Sequence, residues 1–95
     1  MKIVFKSEKG NFNATAEYIN KSVKVLKGSI ISNRNYNCKL SPIVTDIRNN
    51  KEFVKDYILI KDVSFDSLTM AAQFVSGYKA NGLRVWKTED GKKIK

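Results

Sequence analysis

The fold of this chain is decided near its carboxyl end, where residues 67–92 read SLTMAAQFVSGYKANGLRVWKTEDGK. A short apolar pattern in this stretch contains Ala71 and Ala72, whose small side chains let a helix approach a sheet closely. Ser67 can cap the first turn of such a helix, and Gly77 can take the left-handed conformation that ends it. We therefore predict a helix between Ser67 and Gly77.

Two turns follow this helix. Asn81-Gly82 predicts a tight turn, because Asn and Gly tolerate the positive φ that such a turn requires. Residues 83–87 alternate as a strand, and Asp90-Gly91 predicts a second turn. Together these features predict a terminal hairpin.

Two residues of the stretch have alternative interpretations. Trp86, the only tryptophan, serves either as a stacking platform or as a core anchor. The core is favoured, because a small domain needs the large apolar area of this side chain. Ser67 either caps the helix or contacts a phosphate at the helix N-terminus, and capping is favoured.

The first part of the chain predicts an antiparallel meander. Residues 2–6, 12–18 and 22–26 each have strand character, and the last two are joined by a short turn at Asn20-Lys21. The middle strand alternates clearly. It places the following residues on one face: Phe12, Ala14, Ala16 and Tyr18.

The middle of the chain gives weaker signals. Residues 29–40 are polar and predict a loop, and Ser41-Pro42 predicts the start of a helix that runs to about Lys55. The inward side of that helix would be formed by Ile43, Ile47 and either Val54 or Phe53. Residues 57–60 are apolar and fit a strand or a helix, and residues 63–65 lead into the helix after Ser67.

These elements predict an α+β fold, in which an antiparallel meander and a C-terminal hairpin are packed by two helices on one face. The chain has 95 residues, enough for one domain with a modest core, so we assign residues 1–95 to a single accessory-type domain.

Composition excludes several function classes. The chain has no histidine and one cysteine, Cys38, so most nucleophilic triads and the usual zinc ligand sets cannot be built. Its carboxylates are scattered, without a pair suited to acid–base work. We expect no enzymatic activity, no cofactor and no metal, and a reducing cytoplasm as the compartment. Lysines interrupt the apolar N-terminal residues and no apolar run is long enough to span a bilayer, so we expect neither a signal peptide nor a membrane partner.

The net charge of +9 is unevenly distributed. Residues 1–40 carry eight Lys/Arg against two acids (+6), residues 41–75 four against five (−1), and residues 76–95 six against two (+4). Clustered cations displace the counterions condensed on phosphates, so the charge favours a nucleic-acid partner over a merely basic protein. Lysines far outnumber arginines, which suits contact with the phosphate backbone more than bidentate base reading.

The candidate contacts lie in the two hairpins. Around the Asn-Gly pair, cations and amides are suited to phosphates or base edges, although an ordinary solvated turn explains them equally well. These candidates are Lys79, Asn81, Arg84 and Lys87. Lysines of the first hairpin would add nonspecific attraction, namely Lys21, Lys24 and Lys27.

The same motif resembles a small domain of unknown function that is found appended to GIY-YIG endonucleases, and is similar to the RAMA module of restriction and adenine-methylase-associated proteins. The resemblance covers nearly the whole chain. It is carried by Phe65, Ser67, Ala71-Ala72, Gly77, Ala80-Asn81-Gly82, Trp86-Lys87 and Asp90-Gly91-Lys92, and upstream by Val25-Leu26-Lys27-Gly28-Ser29.

Two positions depart from the family pattern. Leu68 stands where a proline is usual, and Leu83 stands where an aromatic residue often follows Asn-Gly. The second departure weakens the expectation of base recognition. The resemblance implies a DNA-associated accessory module of bacterial restriction-modification systems, with a nuclease or methylase as a protein partner. It does not extend to a nuclease catalytic domain.

Two functions follow as expectations. The first is a non-enzymatic module that binds nucleic acid, in particular duplex DNA, through a basic face, with modified-base reading as a further role. The alternative is a protein-interaction module that docks a nuclease, a methylase or a second copy of itself.

Overall fold

A computed structural model describes residues 1–33 and 40–94 and has the predicted α+β fold. Its strands are β1 (Lys2–Ser7), β2 (Phe12–Ile19), β3 (Ser22–Val25), β4 (Val54–Lys55), β5 (Ile58–Leu59), β6 (Val63–Phe65) and β7 (Lys87–Thr88). Its helices are α1 (Pro42–Arg48), α2 (Leu68–Ser76) and α3 (Gly82–Val85).

Five strands form one antiparallel sheet in the order β6-β3-β2-β1-β7. The predicted meander is its centre. Asn20 and Lys21 have φ of 50° and 68°, the paired positive values that match a two-residue hairpin to the twist of its strands. Phe12, Ala14 and Ala16 point into the core as their alternation predicts.

The sheet continues beyond β3 through a bulge. Leu26 and Lys27 step out of register, and Ile30 then pairs with Asn13 of β2 on one side and with Ile58 of β5 on the other. At the bulge the Ser29 hydroxyl hydrogen-bonds to the backbone of Thr15: it accepts from the Thr15 amide at 3.1 Å and donates to the Thr15 carbonyl at 3.3 Å. The β4–β5 hairpin therefore extends the main sheet.

Helix α2 covers one face of this sheet and is capped as predicted. The Ser67 hydroxyl accepts from the Met70 amide at 3.0 Å, and Gly77 has a φ of 81°. Trp86 is fully buried and its indole N–H donates to the Leu68 carbonyl at 3.0 Å, so the core interpretation of Trp86 is confirmed. Phe74 of the same helix is also fully buried.

The prediction for the first helix was wrong in length and, at Ile43, in its inward side. Helix α1 ends at Arg48, because Asn49 closes it and the Asn50 side chain accepts from the Glu52 amide in a local turn. Val44 is its buried residue and Ile47 packs against the core as predicted, whereas Ile43 is exposed.

The residues beyond that turn form strands. Val54 lies in β4, and the apolar residues 57–60 contribute β5. Asp56 and Tyr57, both with positive φ, make the tight turn that joins the two strands. An Asp-Tyr pair is not a usual turn sequence, and this is why the hairpin was missed.

The prediction of a terminal hairpin was wrong for the first half of that segment. Residues 82–85 form α3, and Asn81 has a φ of −85° and caps that helix by accepting from the Leu83 amide at 3.1 Å. This helix takes the place of the expected Asn-Gly turn and of most of the strand expected over residues 83–87. The second half is as predicted: Gly91 has a φ of 85°, and the chain reverses there so that Lys93 pairs with Lys87.

Gly82 explains the difference. A Cβ built on Gly82 would lie 2.2 Å from the Leu68 carbonyl carbon and 2.4 Å from the Thr69 nitrogen. The glycine therefore serves the close approach of α3 to α2, and positive φ is not its purpose.

No helix within residues 1–33 and 40–94 is long and apolar enough to cross a membrane. Part of the loop expected over residues 29–40, together with Cys38, lies outside the described residues, as does Lys95. In the described part of that segment, Ile31 and Ser32 are buried.

Candidate nucleic-acid interface

The face of the sheet opposite α2 is left uncovered by the described helices, and we call it the open face. On β1 the buried residues Ile3 and Phe5 alternate with Lys2, Val4 and Lys6, which point away from the core. The same alternation holds on the neighbouring strands. The open face comprises Lys2, Val4, Lys6, Asn13, Thr15, Glu17, Ile19, Ser22, Lys24, Ser64 and Lys87.

Strand register arranges these side chains in rows across the sheet. Lys2 lies opposite Glu17, and Glu17 lies opposite Lys24. One row further along, Lys87 lies opposite Val4. Residues directly opposite in an antiparallel pair share a face, with Cβ atoms about 4.5–5.5 Å apart. The rows therefore bring lysines from both ends of the sequence onto one surface.

This surface is strongly basic. Its strand positions hold four lysines against a single acid, a balance of +3 (4 − 1). Lys93 extends the surface past β7, because it pairs with Lys87. The Glu17 carboxylate forms an ion pair with the N-terminal amine at 4.0 Å. The acid is thus partly neutralised, whereas the four lysines form no ion pair within the described residues.

A depression at the β1–β7 edge adds an arginine to the cluster. It has a volume of about 580 Å³ and is lined by Lys6, Arg84 and Lys87 together with Glu89 and Asp90. The Lys87 ammonium donates to the Arg84 carbonyl at 2.8 Å, which fixes the end of α3 against β7. Asp90 is occupied by the Thr88 hydroxyl and by Lys92. Among the described residues Lys6, Arg84 and Lys87 form no ion pair with either acid, so the depression keeps a balance of +1 (3 − 2).

The seven candidates predicted from the sequence fall into three groups. Lys24 and Lys87 lie on the open face, and Arg84 lies beside it on α3. Three others lie in turns or loops, where no described contact ties their side chains to the sheet: Lys21, Lys27 and Lys79. Asn81 is occupied as the cap of α3.

The sequence reasoning missed Lys2 and Lys6. The sequence does indicate their position: Lys2, Val4 and Lys6 occupy every second place of the first predicted strand, on the side opposite Ile3 and Phe5. Pairing that strand with residues 12–18 places both lysines opposite polar residues, Glu17 and Asn13. The alternation within one strand does not show which cations of different strands share a face, because that depends on the register between the strands.

The open face suits phosphate contact better than base stacking. Lys2 and Lys6 are about 13 Å apart along β1, and Lys2 and Lys24 are about 10 Å apart across two strand spacings. None of its described strand positions is aromatic. Long, flexible ammonium groups at such intervals contact phosphates as point charges.

Within residues 1–33 and 40–94 no group of three or more His, Cys, Asp or Glu side chains lies close enough to hold a metal ion.

The fold and this surface define a small α+β domain with a basic, uncovered sheet face. The chain belongs to the family described as Domain of unknown function (DUF4357), which it matches over residues 3–95. The resemblance to a domain of unknown function is confirmed at that level, over nearly the whole chain. No curated protein and no solved structure matches the chain.

Proposed function

We propose that this domain is a non-enzymatic accessory module that binds duplex DNA through the open face of its sheet. The proposal rests on the strand register of the open face. It gathers Lys2, Lys6, Lys24 and Lys87 from distant parts of the chain, with Glu17 as the single acid among its strand positions. Counterion release from DNA would supply the free energy of binding.

A duplex fits this surface better than a single strand. Proteins that hold single strands present aromatic side chains on which bases stack. The largest aromatic group of this chain, Trp86, is fully buried in the core against Phe5. The open face offers ammonium groups to the sugar–phosphate backbone instead, and this gives affinity without sequence readout.

The association with GIY-YIG nucleases and with RAMA-like modules belongs to the same proposal. It rests on the motif resemblance and on the basic face. In that setting the domain would hold DNA for a nuclease or methylase partner in the bacterial cytoplasm. Reading of a modified base would fall to Arg84, beside the depression at the β1–β7 edge.

The direct test is the binding of a fluorescently labelled duplex, measured by anisotropy between 50 and 300 mM salt. We expect the logarithm of the affinity to fall linearly with the logarithm of the salt concentration, with a slope of about −3 to −4 if four phosphates are neutralised. Affinity that stays flat across the series would reject phosphate-driven binding.

A second comparison addresses base modification. Duplexes of one sequence, with and without N6-methyladenine, would be measured at a single salt concentration. Equal affinities would assign the domain to backbone binding alone. A preference for the methylated duplex that disappears in Arg84→Gln would support modified-base reading.

One observation favours the alternative function of protein docking. Ile30 and Ile58 are neighbours through an isolated β-bridge, and each is 43% exposed. Adjacent exposed isoleucines on a sheet suit an apolar protein contact. Light scattering of the pure domain tests self-association. A tagged domain that retains a nuclease or methylase partner after nucleic acid is digested would support docking.

A further inference from the structure

A separate pocket lies at the end of α1, beside the β4–β5 hairpin. It has a volume of about 430 Å³ and is lined by Arg48, Asn49, Lys51, Val54, Lys55, Asp56 and Tyr57. This volume is within the range of small-molecule sites, about 300–1,000 Å³. Three of its lining side chains are cationic and one is acidic, a balance of +2 (3 − 1).

The Arg48 side chain is held rigidly in the wall of this pocket. Its guanidinium donates to the Phe74 carbonyl in the last turn of α2, and to the Ser32 carbonyl at 2.6 Å. A guanidinium has five N–H donors, so these two bonds leave donors that the described contacts do not use. Because the side chain is fixed by two backbone acceptors, it would bind a ligand with little further loss of conformational entropy.

The charge of Arg48 has no carboxylate partner among the described residues. Its side chain is only partly exposed, and burial lowers the pKa of its guanidinium, while Tyr57 acts in the opposite direction. A half-buried cation that is bonded only to neutral carbonyls attracts an anion strongly. Lys51 and Lys55 are exposed at the same pocket and would add their charges.

The hairpin turn supplies the remaining groups. Asp56 and Tyr57 have φ of 53° and 62°, strained values for these residue types, and the strain is held by the pairing of Ile58 with Lys55 and of Ile31 with Tyr57. Backbone strain of this kind persists only where the surroundings impose it. The turn places the half-exposed Tyr57, with its hydroxyl donor, in the pocket wall.

We propose that this pocket binds a phosphate group, with the Arg48 guanidinium as the fixed donor, Lys51 and Lys55 as mobile charges and the Tyr57 hydroxyl as a further donor. None of the lining residues belongs to the set that defines the open face, and the inference does not rest on the proposed DNA binding. The ligand class is a phosphomonoester or inorganic phosphate. Its source is either a small metabolite or the terminal phosphate of a nucleic acid.

The test is a titration of the ¹⁵N-labelled domain with inorganic phosphate, followed by amide chemical shifts at constant ionic strength. We expect saturable shifts at the amides of Asn49, Lys51, Asp56 and Tyr57, and no saturable shift at Lys2 or Lys24. Affinity should be higher at pH 7.5 than at pH 5.5, because inorganic phosphate gains much of its second negative charge between these two pH values. The absence of saturable shifts at the pocket would overturn the proposal.

Matched variants separate a site from general attraction. Lys51→Gln removes a charge at the pocket, and Lys61→Gln removes an equal charge from the residues just after β5, outside the pocket lining. We expect Lys51→Gln to weaken phosphate binding about threefold or more and Lys61→Gln to leave it nearly unchanged. Equal weakening by the two variants would show charge attraction without a site and would contradict the proposal.

Arg48 needs a different treatment, because its loss would also remove two backbone contacts. Tyr57→Phe keeps the fold and removes only the hydroxyl, so a severalfold loss of phosphate affinity with an unchanged melting temperature would support the assigned role. Unchanged affinity in Tyr57→Phe would remove Tyr57 from the site. Unchanged affinity in Arg48→Lys, shown to be folded by its spectrum, would overturn the role of the Arg48 guanidinium as the fixed donor.

Two oligonucleotides distinguish the sources of the phosphate. A short strand with a 5′-phosphate and the same strand with a 5′-hydroxyl would each compete with inorganic phosphate for the pocket amides. Competition by the phosphorylated strand alone would identify a nucleic-acid end. If only a nucleoside 5′-monophosphate and inorganic phosphate occupy the pocket, the site serves a small metabolite.

Discussion

Gly82 shows how one missing side chain positions an element. Its Cα faces the backbone of Leu68 and Thr69, and its amide donates to the Thr69 hydroxyl at 3.2 Å. This contact sets α3 against the first turn of α2 and places Trp86 beneath it. The chain then enters β7 at the edge of the sheet. The positions of Arg84 beside the open face and of Lys87 on it therefore depend on Gly82.

Gly82→Ala should strongly destabilise the domain. The new Cβ would overlap backbone atoms, which cannot move aside as a flexible side chain would. We expect a loss of about 3 kcal/mol in the free energy of unfolding, near the upper end for overpacking. Urea denaturation followed by Trp86 fluorescence measures it.

Gly91→Ala is the matched control. Gly91 has a φ of 85°, but no atom lies within 4 Å of the position that a Cβ would take there. Only the left-handed conformation is penalised, at about 1 kcal/mol. If the two variants lose equal stability, steric approach is not the reason for Gly82.

Residue patterns predicted the site only in part, for a reason that Asn81 and Lys6 illustrate. Asn-Gly supports both a hairpin turn and a helix cap, and the tertiary contact of Gly82 decides between them. Lys6 looked like an ordinary exposed strand residue. Its membership of a charged surface depends on pairings with strands far away in the sequence, which periodicity does not reveal.

At the scale of elements, the hairpin between β2 and β3 carries a measurable strain. Lys21 has a φ of 68°, a region that favours glycine. Lys21→Gly should be more stable than Lys21→Ala by about 1 kcal/mol, because both lose the charge but only glycine takes this conformation without penalty. Thermal melts of the two variants measure the difference. Equal stabilities would contradict the observed turn.

The N-cap of α2 gives a second prediction at this scale. Ser67→Ala removes the bond that its hydroxyl accepts from the Met70 amide and should cost about 1 kcal/mol. Ser67→Asp, which keeps a capping acceptor, should retain stability. Chemical denaturation of the two variants measures the difference. If Ser67→Ala instead left stability unchanged and weakened DNA binding, the phosphate-contact interpretation of Ser67 would be preferred.

Elements were predictable where local signals agreed with the tertiary structure. The meander has alternation and a turn pair, and α2 has a cap at each end, so both were predicted. The β4–β5 hairpin has strands of two residues and a turn made by Asp56 and Tyr57, so its stability comes from Ile30 and Ile31 of a distant segment. The local sequence of the hairpin does not indicate these contacts with a distant segment.

At the scale of the whole molecule, the fold separates a covered face from a charged one. Helix α2 and the buried aromatic residues occupy one side of the sheet, where Phe5 lies 4.6 Å from Phe12 and 5.7 Å from Trp86 between ring centroids. The other side bears lysines on β1, β3 and β7. This division places the charge on a rigid support, so that its cations keep their spacing when a polyanion approaches.

The measurement that tests this account most directly compares two triple variants for duplex binding over a salt series. Lys2→Gln/Lys6→Gln/Lys24→Gln neutralises most of the open face, and Lys27→Gln/Lys61→Gln/Lys79→Gln removes the same net charge from loop positions. We predict that the first variant makes the slope of log affinity against log salt shallower by about 2.7, because three phosphate contacts are lost. The second variant should keep a slope near that of the wild type. Equal slopes in the two variants would contradict the assignment of DNA binding to the open face.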